Sequence, residues 1–175
     1  MNKKNFIAGL LMGLGLTVIC LIVFKALNKE APSEFPDELP AFELITQEGR
    51  LFTSDSLGAG KTIVMFYSPD CLFCEHEGKE LTDRAADFIN AQILFITCFQ
   101  LDSVSVYTRR TGINTVPYYY SLIDTAYITP LLFGLRTTPT TLLYNEERKL
   151  ITAFEGEVNA TKLLKTLQEY EATKK

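Results

Sequence analysis

The sequence has little of three things: clustered positive charge, cysteine and histidine. Its 17 Lys and Arg form no run, and the net charge is −4. Phosphate backbones are bound by clustered Lys and Arg, so nucleic acid is not an expected partner. Four cysteines, Cys20, Cys71, Cys74 and Cys98, are too few for a disulfide-stapled miniprotein. They suit one redox pair, Cys71 with Cys74, and two bystanders. A structural zinc site takes four ligands, which one close cysteine pair and a single histidine, His76, do not supply. Neither a metal nor another cofactor is expected. What the 175 residues do have is apolar side chains, 47% of the total, enough for one packed domain of ordinary size and an accessory segment.

The accessory segment stands first. Residues 6–24 carry no charge and a single hydroxyl, Thr17. At ~1.5 Å per residue, this run spans a bilayer core of ~30 Å. Secretory h-regions are shorter, roughly 7–15 residues. No convincing small-x-small cleavage site follows, and Thr17-Val18-Ile19 before Cys20 is no lipoprotein box. An uncleaved anchor over residues 1–25 is therefore expected, a single transmembrane helix with Cys20 as one of its small apolar residues. Lys3 and Lys4 precede the run, while Glu30, Glu34 and Asp37 soon follow Lys25 and Lys29. The positive-inside rule then leaves the N-terminus in the cytoplasm and turns the C-terminal part to the periplasm or cell exterior. Residues 26–38, with Pro32 and Pro36, read as a linker, and a domain is expected over residues 39–175.

Within that domain the apolar patterning alternates between strand and helix. Phe42, Leu44 and Thr46, then Gly49-Arg50, then Leu51-Phe52-Thr53 read as strand, turn, strand. Residues 61–67 and 91–98 are short apolar runs of the kind found in buried central strands. Between them, residues 71–89 have helical spacing. A helix is expected over 104–111 with Gly112 as its stop, a strand over 116–123, strands over 140–144 and 150–154, and a terminal amphipathic helix over 160–170. Residues 126–135 are ambiguous. Strands alternating with helices make an α/β layer architecture.

The segment Phe66-Tyr67-Ser68-Pro69-Asp70-Cys71-Leu72-Phe73-Cys74 places a C-x-x-C at a strand-to-helix junction. The free amides and the positive dipole end at a helix N-terminus stabilise a thiolate, which is the species that attacks disulfides. A second cysteine one turn on can close a disulfide with the first and release the product. At 100° per residue, Cys74 shares a face with Gly78, Leu81, Ala85, Phe88 and Ile89, while Cys71 sits at the exposed end. Cys71 is thus the expected nucleophile and Cys74 the resolving thiol. Glu77 lies three residues after Cys74 at the edge of that face. Near apolar surface its pKa would rise, and it could take the Cys74 proton. A solvated Glu favoured by the helix dipole is the plainer alternative. His76 falls on the opposite, polar face.

These residues, with Ala41-Phe42-Glu43-Leu44, Glu48-Gly49-Arg50 and Ser54-Asp55-Ser56-Leu57 before them, resemble the TlpA/ResA-like branch of the thioredoxin superfamily. The resemblance runs over residues 39–170. It implies a thioredoxin-like three-layer fold with a central mixed sheet. It also implies a membrane-tethered, extracytoplasmic thiol–disulfide oxidoreductase in which a Glu three residues after the second cysteine is frequent. The superfamily has a cis-proline facing the cysteine pair, just before its last two strands. Thr138-Pro139-Thr140 stands there, so Thr138 and Pro139 are expected to dock substrate; Pro117 is the rival. Two departures stand out. Asp70 occupies the place usually held by Trp, a residue this chain lacks, and Leu72-Phe73 lacks the common proline. Asp70 and Glu75 put negative charge at the thiols, which disfavours thiolate and makes the disulfide harder to reduce.

The expected function is therefore disulfide reduction in extracytoplasmic proteins, supplied by a membrane thiol electron donor. The resemblance adds apocytochromes awaiting haem as possible substrates. The alternative is a thioredoxin-fold peptide-binding module with idle cysteines. A peroxidase is disfavoured because its Thr-x-x-Cys signature is missing, and a copper carrier because C-x-x-x-C and a distant His are. Cys98, at the end of an apolar run, reads as inert core, and Tyr118-Tyr119-Tyr120 as a strand of mixed burial rather than a groove lining.

Overall fold

The computed structural model describes residues 35–173. The membrane span expected over residues 6–24, most of the linker and Cys20 lie outside them. No helix among the described residues is long and apolar enough to cross a membrane.

Seven strands appear in the order β1 (Glu43–Thr46), β2 (Leu51–Thr53), β3 (Lys61–Phe66), β4 (Ala91–Thr97), β5 (Tyr119–Ile123), β6 (Thr140–Tyr144) and β7 (Leu150–Glu155). Helix α1 (Leu72–Asp83) joins β3 to β4 and α2 (Leu101–Thr111) joins β4 to β5. The four-residue α3 (Thr129–Leu132) lies before β6, and α4 (Ala160–Thr173) ends the fold. The sheet order is β2-β1-β5-β4-β3-β6-β7. Strands β3, β4 and β5 are parallel, and the pairs on either side are antiparallel, so the sheet is mixed.

The central strands are buried on both faces, which is why their sequences read as continuous apolar runs. Alternation sorts the side chains. Ile63, Met65, Ile93 and Phe95 point to one face, where Cys74 and Leu81 of α1, Tyr107 of α2 and Leu163 of α4 cover them. Val64, Phe66, Leu94 and Ile96 point to the other, where Phe42, Phe52 and Phe133 close over them. Helices α1, α2 and α4 thus form one layer. The third layer of the expected three is thin, with α3 its one helix among the described residues.

Helix α1 ends at Asp83, earlier than its spacing suggests, and a 3-10 turn over Ala85–Phe88 follows. That change of phase keeps Phe88 buried but turns Ile89 outward, 67% exposed, against the expectation that it shares the inner face. The last turn of α1 holds no basic side chain. Two tyrosines serve the carbonyls there instead. Tyr119 Oη donates to Leu81 O (2.8 Å) and Tyr118 Oη to the carbonyl of Ala85 (2.6 Å). The tyrosine run therefore braces the cysteine-bearing helix from below. Helix α2 starts at Leu101, three residues ahead of its expected start, and stops at Gly112, whose φ of +77° suits glycine. Ordered contact with the domain begins ahead of Leu39: Phe35 packs on the second core and Leu150 N donates to the carbonyl of Asp37 (2.8 Å).

Candidate active site

Strand β3 delivers the chain to a turn at the C-terminal edge of the parallel strands. Tyr67 N still donates to Ile96 O (3.0 Å), and Cys71 N closes the turn on Ser68 O (3.1 Å). Cys71 then stands at the N-cap of α1 in an extended conformation, and its Sγ accepts the amide proton of Cys74 at 3.2 Å. The sulfur takes the place an N-cap oxygen usually fills. It thus meets a helix amide at the positive end of the helix dipole. On the other side, the Cys71 thiol faces the Thr138 carbonyl at 4.0 Å. The Thr138–Pro139 peptide is cis. The turn around it is fastened by Thr140 Oγ1 donating to Thr137 O (2.9 Å) and by Gly156 N donating to Pro139 O (2.8 Å).

Cys74 is fully buried. Burial, then the neighbouring Cys71 sulfur, pushes its thiol up to about 12. Cys71, Cys74 and Cys98 carry free sulfurs in this structure. One partly exposed sulfur thus stands at the helix end, with one buried sulfur behind it.

Glu77 does not take the solvated position of the plainer alternative. It is 1% exposed, and burial is the main cause that raises its carboxyl to about 7. Thr141 Oγ1 donates to its Oε1 (2.5 Å) and Val158 N to its Oε2 (3.1 Å), both working against that rise. Neither cysteine sulfur is among its hydrogen-bond partners. Glu77 reaches instead under the cis turn, to the strand that follows Pro139. His76 is exposed, as its helical face suggests, and pairs with Glu157, which raises its pKa.

Three residues of this site were not singled out in the sequence. Tyr107 Oη donates to Cys74 O (2.8 Å) and its ring stacks on Tyr67, with centroids 4.0 Å apart. Thr141 holds Glu77. Arg110 pairs with Glu75 (3.0 Å) and donates to Pro69 O (3.1 Å). Each comes from an element distant in sequence, and only the buried side of α2 was a signal available beforehand.

Leu72 and Phe73, between the cysteines, are 75% and 62% exposed. A cleft of ≈ 310 Å³ lies beside the cis turn, lined among others by Ile96, Cys98, Phe99, Thr137 and Thr138. Cys98 is thus half-buried on a cleft wall rather than sealed in core. Burial and Asp124, to which its thiol donates at 3.6 Å, push its pKa up. Among the described residues no three His, Cys, Asp or Glu side chains converge as a metal site requires.

The thioredoxin-like domain family model matches residues 56–171. No curated protein matches the chain. A secreted Mycobacterium tuberculosis disulfide oxidoreductase homologous to E. coli DsbE superposes with a TM-score of 0.64 at 17% identity, covering 73% of this chain and 95% of that one. StoA from Bacillus subtilis gives 0.59 at 19% identity, covering 75% and 99%. The peroxidoxin BcpB from M. tuberculosis gives 0.64 at 22% identity, covering 77% and 96%. At these identities the likeness is one of fold, shared by proteins of different redox chemistry.

Proposed function

The chain belongs to the thioredoxin-like domain family, and from that premise we propose that it is a membrane-anchored, extracytoplasmic thiol–disulfide oxidoreductase acting as a disulfide reductase. The observation that carries this reading is the position of the Cys71 sulfur. It caps α1, accepts the Cys74 amide at 3.2 Å and faces the Thr138 carbonyl across an open edge at 4.0 Å.

The Cys71 thiolate attacks one sulfur of a partner's disulfide. A mixed disulfide forms, and the partner's other sulfur leaves as a thiolate that takes up a proton. Cys74 then loses its proton and attacks the Cys71 sulfur, closing the Cys71–Cys74 disulfide and releasing the second partner thiolate. The partner gains two electrons and two protons, and a membrane thiol donor returns them to the pair. Because burial holds the Cys74 proton so tightly, the second step needs a base. Glu77, poised to about 7 and three residues on from Cys74 in the same helix, is suited to take that proton. Thr138 and Pro139 hold the partner chain beside Cys71. Residues 6–24 tether the domain outside the cytoplasm.

The test is the reduction potential of the Cys71–Cys74 couple, by thiol-buffer titration and alkylation of the full chain in detergent. A reversible two-electron couple near or below roughly −270 mV supports a reductase. A far higher potential reverses the direction of electron flow. Absence of any couple leaves a peptide-binding module, the reading that the exposed Leu72 and Phe73 would then favour. Thiol labelling from either side of sealed vesicles checks the location: labelling of Cys71 only from the cytoplasmic side would refute it.

A further inference from the structure

The charge at the cysteine pair is not what its own helix supplies. Glu75 directly follows Cys74, and its carboxylate should oppose a thiolate at Cys71. Arg110, in the last turn of α2, places Nη1 3.0 Å from Glu75 Oε2 and donates from Nη2 to Pro69 O at 3.1 Å. One planar guanidinium thus bridges the turn before Cys71 and the residue after Cys74, a fork geometry that a lysine ammonium does not reproduce. Glu75 is half-buried, its side chain 29% exposed, while the guanidinium of Arg110 covers it from the solvent side at 46% exposure. Asp70, by contrast, is solvent-exposed.

We propose that Arg110 is a positioning residue for the thiol–disulfide reaction, cancelling the Glu75 charge beside Cys71 and fixing the Pro69 turn so that the pair's redox balance is set by two opposed charges from two helices. The inference rests on the oxidoreductase reading above. It makes the pair's potential a property of the α1–α2 contact, not of the C-x-x-C segment alone. Removing the guanidinium leaves Glu75 unopposed, disfavours the Cys71 thiolate and so favours the disulfide. Removing the carboxylate leaves Arg110 unopposed and favours the dithiol.

The experiment measures the Cys71–Cys74 equilibrium with a thiol buffer, and the alkylation rate at pH 7, in full-chain wild type, Arg110→Gln, Glu75→Gln, the double variant and Arg110→Lys. R110Q should shift the equilibrium toward disulfide and slow alkylation, each roughly two- to fivefold. E75Q should move both the other way by a similar factor, about 10–20 mV either side of wild type. The double variant should return toward wild type. R110K, keeping charge but not the fork, should recover the potential partly. Loss of packing alone moves both single variants in one direction and is not repaired in the double, so that pattern overturns the proposal. A wild-type couple that titrates normally and is unmoved by every variant overturns it too. Failure of the wild type to titrate at all counts instead against the oxidoreductase reading beneath it.

Discussion

Thr141 donates its hydroxyl proton to Glu77 at 2.5 Å, joining the strand that follows the cis turn to the helix that carries both cysteines. The amide of Val158 holds the other carboxylate oxygen at 3.1 Å. One buried acid therefore fastens together the cysteine-bearing helix, the cis turn and the loop leading to α4. Its proton is coupled to the geometry of all three.

That coupling gives a signed pH dependence. The folded value of about 7 lies above the ordinary carboxyl value of 4.5. Glu77 therefore contributes stability that is fully present below the unfolded value and is lost as pH rises through about 7. Glu77→Gln keeps a neutral partner for both Val158 and Thr141, whose hydroxyl can accept as well as donate. Denaturant unfolding from pH 5 to 8 should show wild type losing about 2–3 kcal/mol relative to E77Q. The exposed His76–Glu157 pair is common to both proteins and drops out of the difference. In stopped-flow resolution of a Cys71 mixed disulfide, E77Q should slow the Cys74 step by about 10²-fold, the lower range for a lost general base. An unchanged rate would remove Glu77 from the proton's path.

Gly78 sits where α1 meets α2. A Cβ there would overlap Tyr107 Oη and press on Cζ at 3.2 Å. Gly78→Ala should cost about 1–3 kcal/mol by overpacking, despite alanine's better helix propensity. Tyr107→Phe alone should cost about 1 kcal/mol for the bond to Cys74 O. The double variant should be less destabilised than the sum, because the second change clears the space the first one fills. Additive losses would mean that Tyr107 is not what excludes a side chain at position 78.

Much of this frame was legible along the chain. The central strands, the start of the helix opened by Cys71 and the hairpin after Pro139 all follow from local periodicity and punctuation, and fall within a few residues of where spacing puts them, although that helix ends six residues early at Asp83. The ambiguous 126–135 stretch becomes α3 because Asp124 organises it, and no repeating pattern encodes that. The position of β5 between β1 and β4 rests on pairings between residues some 75 positions apart, such as Ile45 with Ile123, which no window of sequence contains. Glu77 was recognisable, but its burial depended on Thr141 and Val158 arriving from the far end of the domain. Arg110 was unreadable for the same reason: nothing local says that the last turn of α2 lies against Glu75.

The exposed Phe73 between the cysteines has no packing role that explains its 62% exposure. Phe73→Ser should leave stability within about 0.5 kcal/mol, as for surface changes in general. Its effect should appear with protein disulfides, as a several-fold higher KM at unchanged kcat, while a small disulfide such as oxidised glutathione is reduced as before. Equal losses on both substrates would place Phe73 in the chemistry itself rather than in partner binding.

Asp124 gives the opposite pH sign to Glu77. The residue is 1% exposed. Burial works to raise its pKa, but the Thr129 amide and hydroxyl, each 2.7 Å from Oδ2, overcome it and hold the carboxyl below its ordinary range. Its contribution is therefore present above the unfolded carboxyl value and lost as pH falls through the lower folded one. In Asp124→Asn an amide nitrogen must face either the Thr129 donors or the Ala126 amide that donates to Oδ1 at 3.2 Å. A donor is left opposite a donor, at a cost of about 1–3 kcal/mol near neutrality. That gap should narrow on acidification to pH 3, as wild type takes up the proton that Asn cannot. The Cys71–Cys74 potential should not move, because Asp124 holds the loop behind Cys98 and contacts neither active-site sulfur. A gap that stays constant from pH 7 to pH 3 would mean that the bond geometry, and not the charge, is what Thr129 reads.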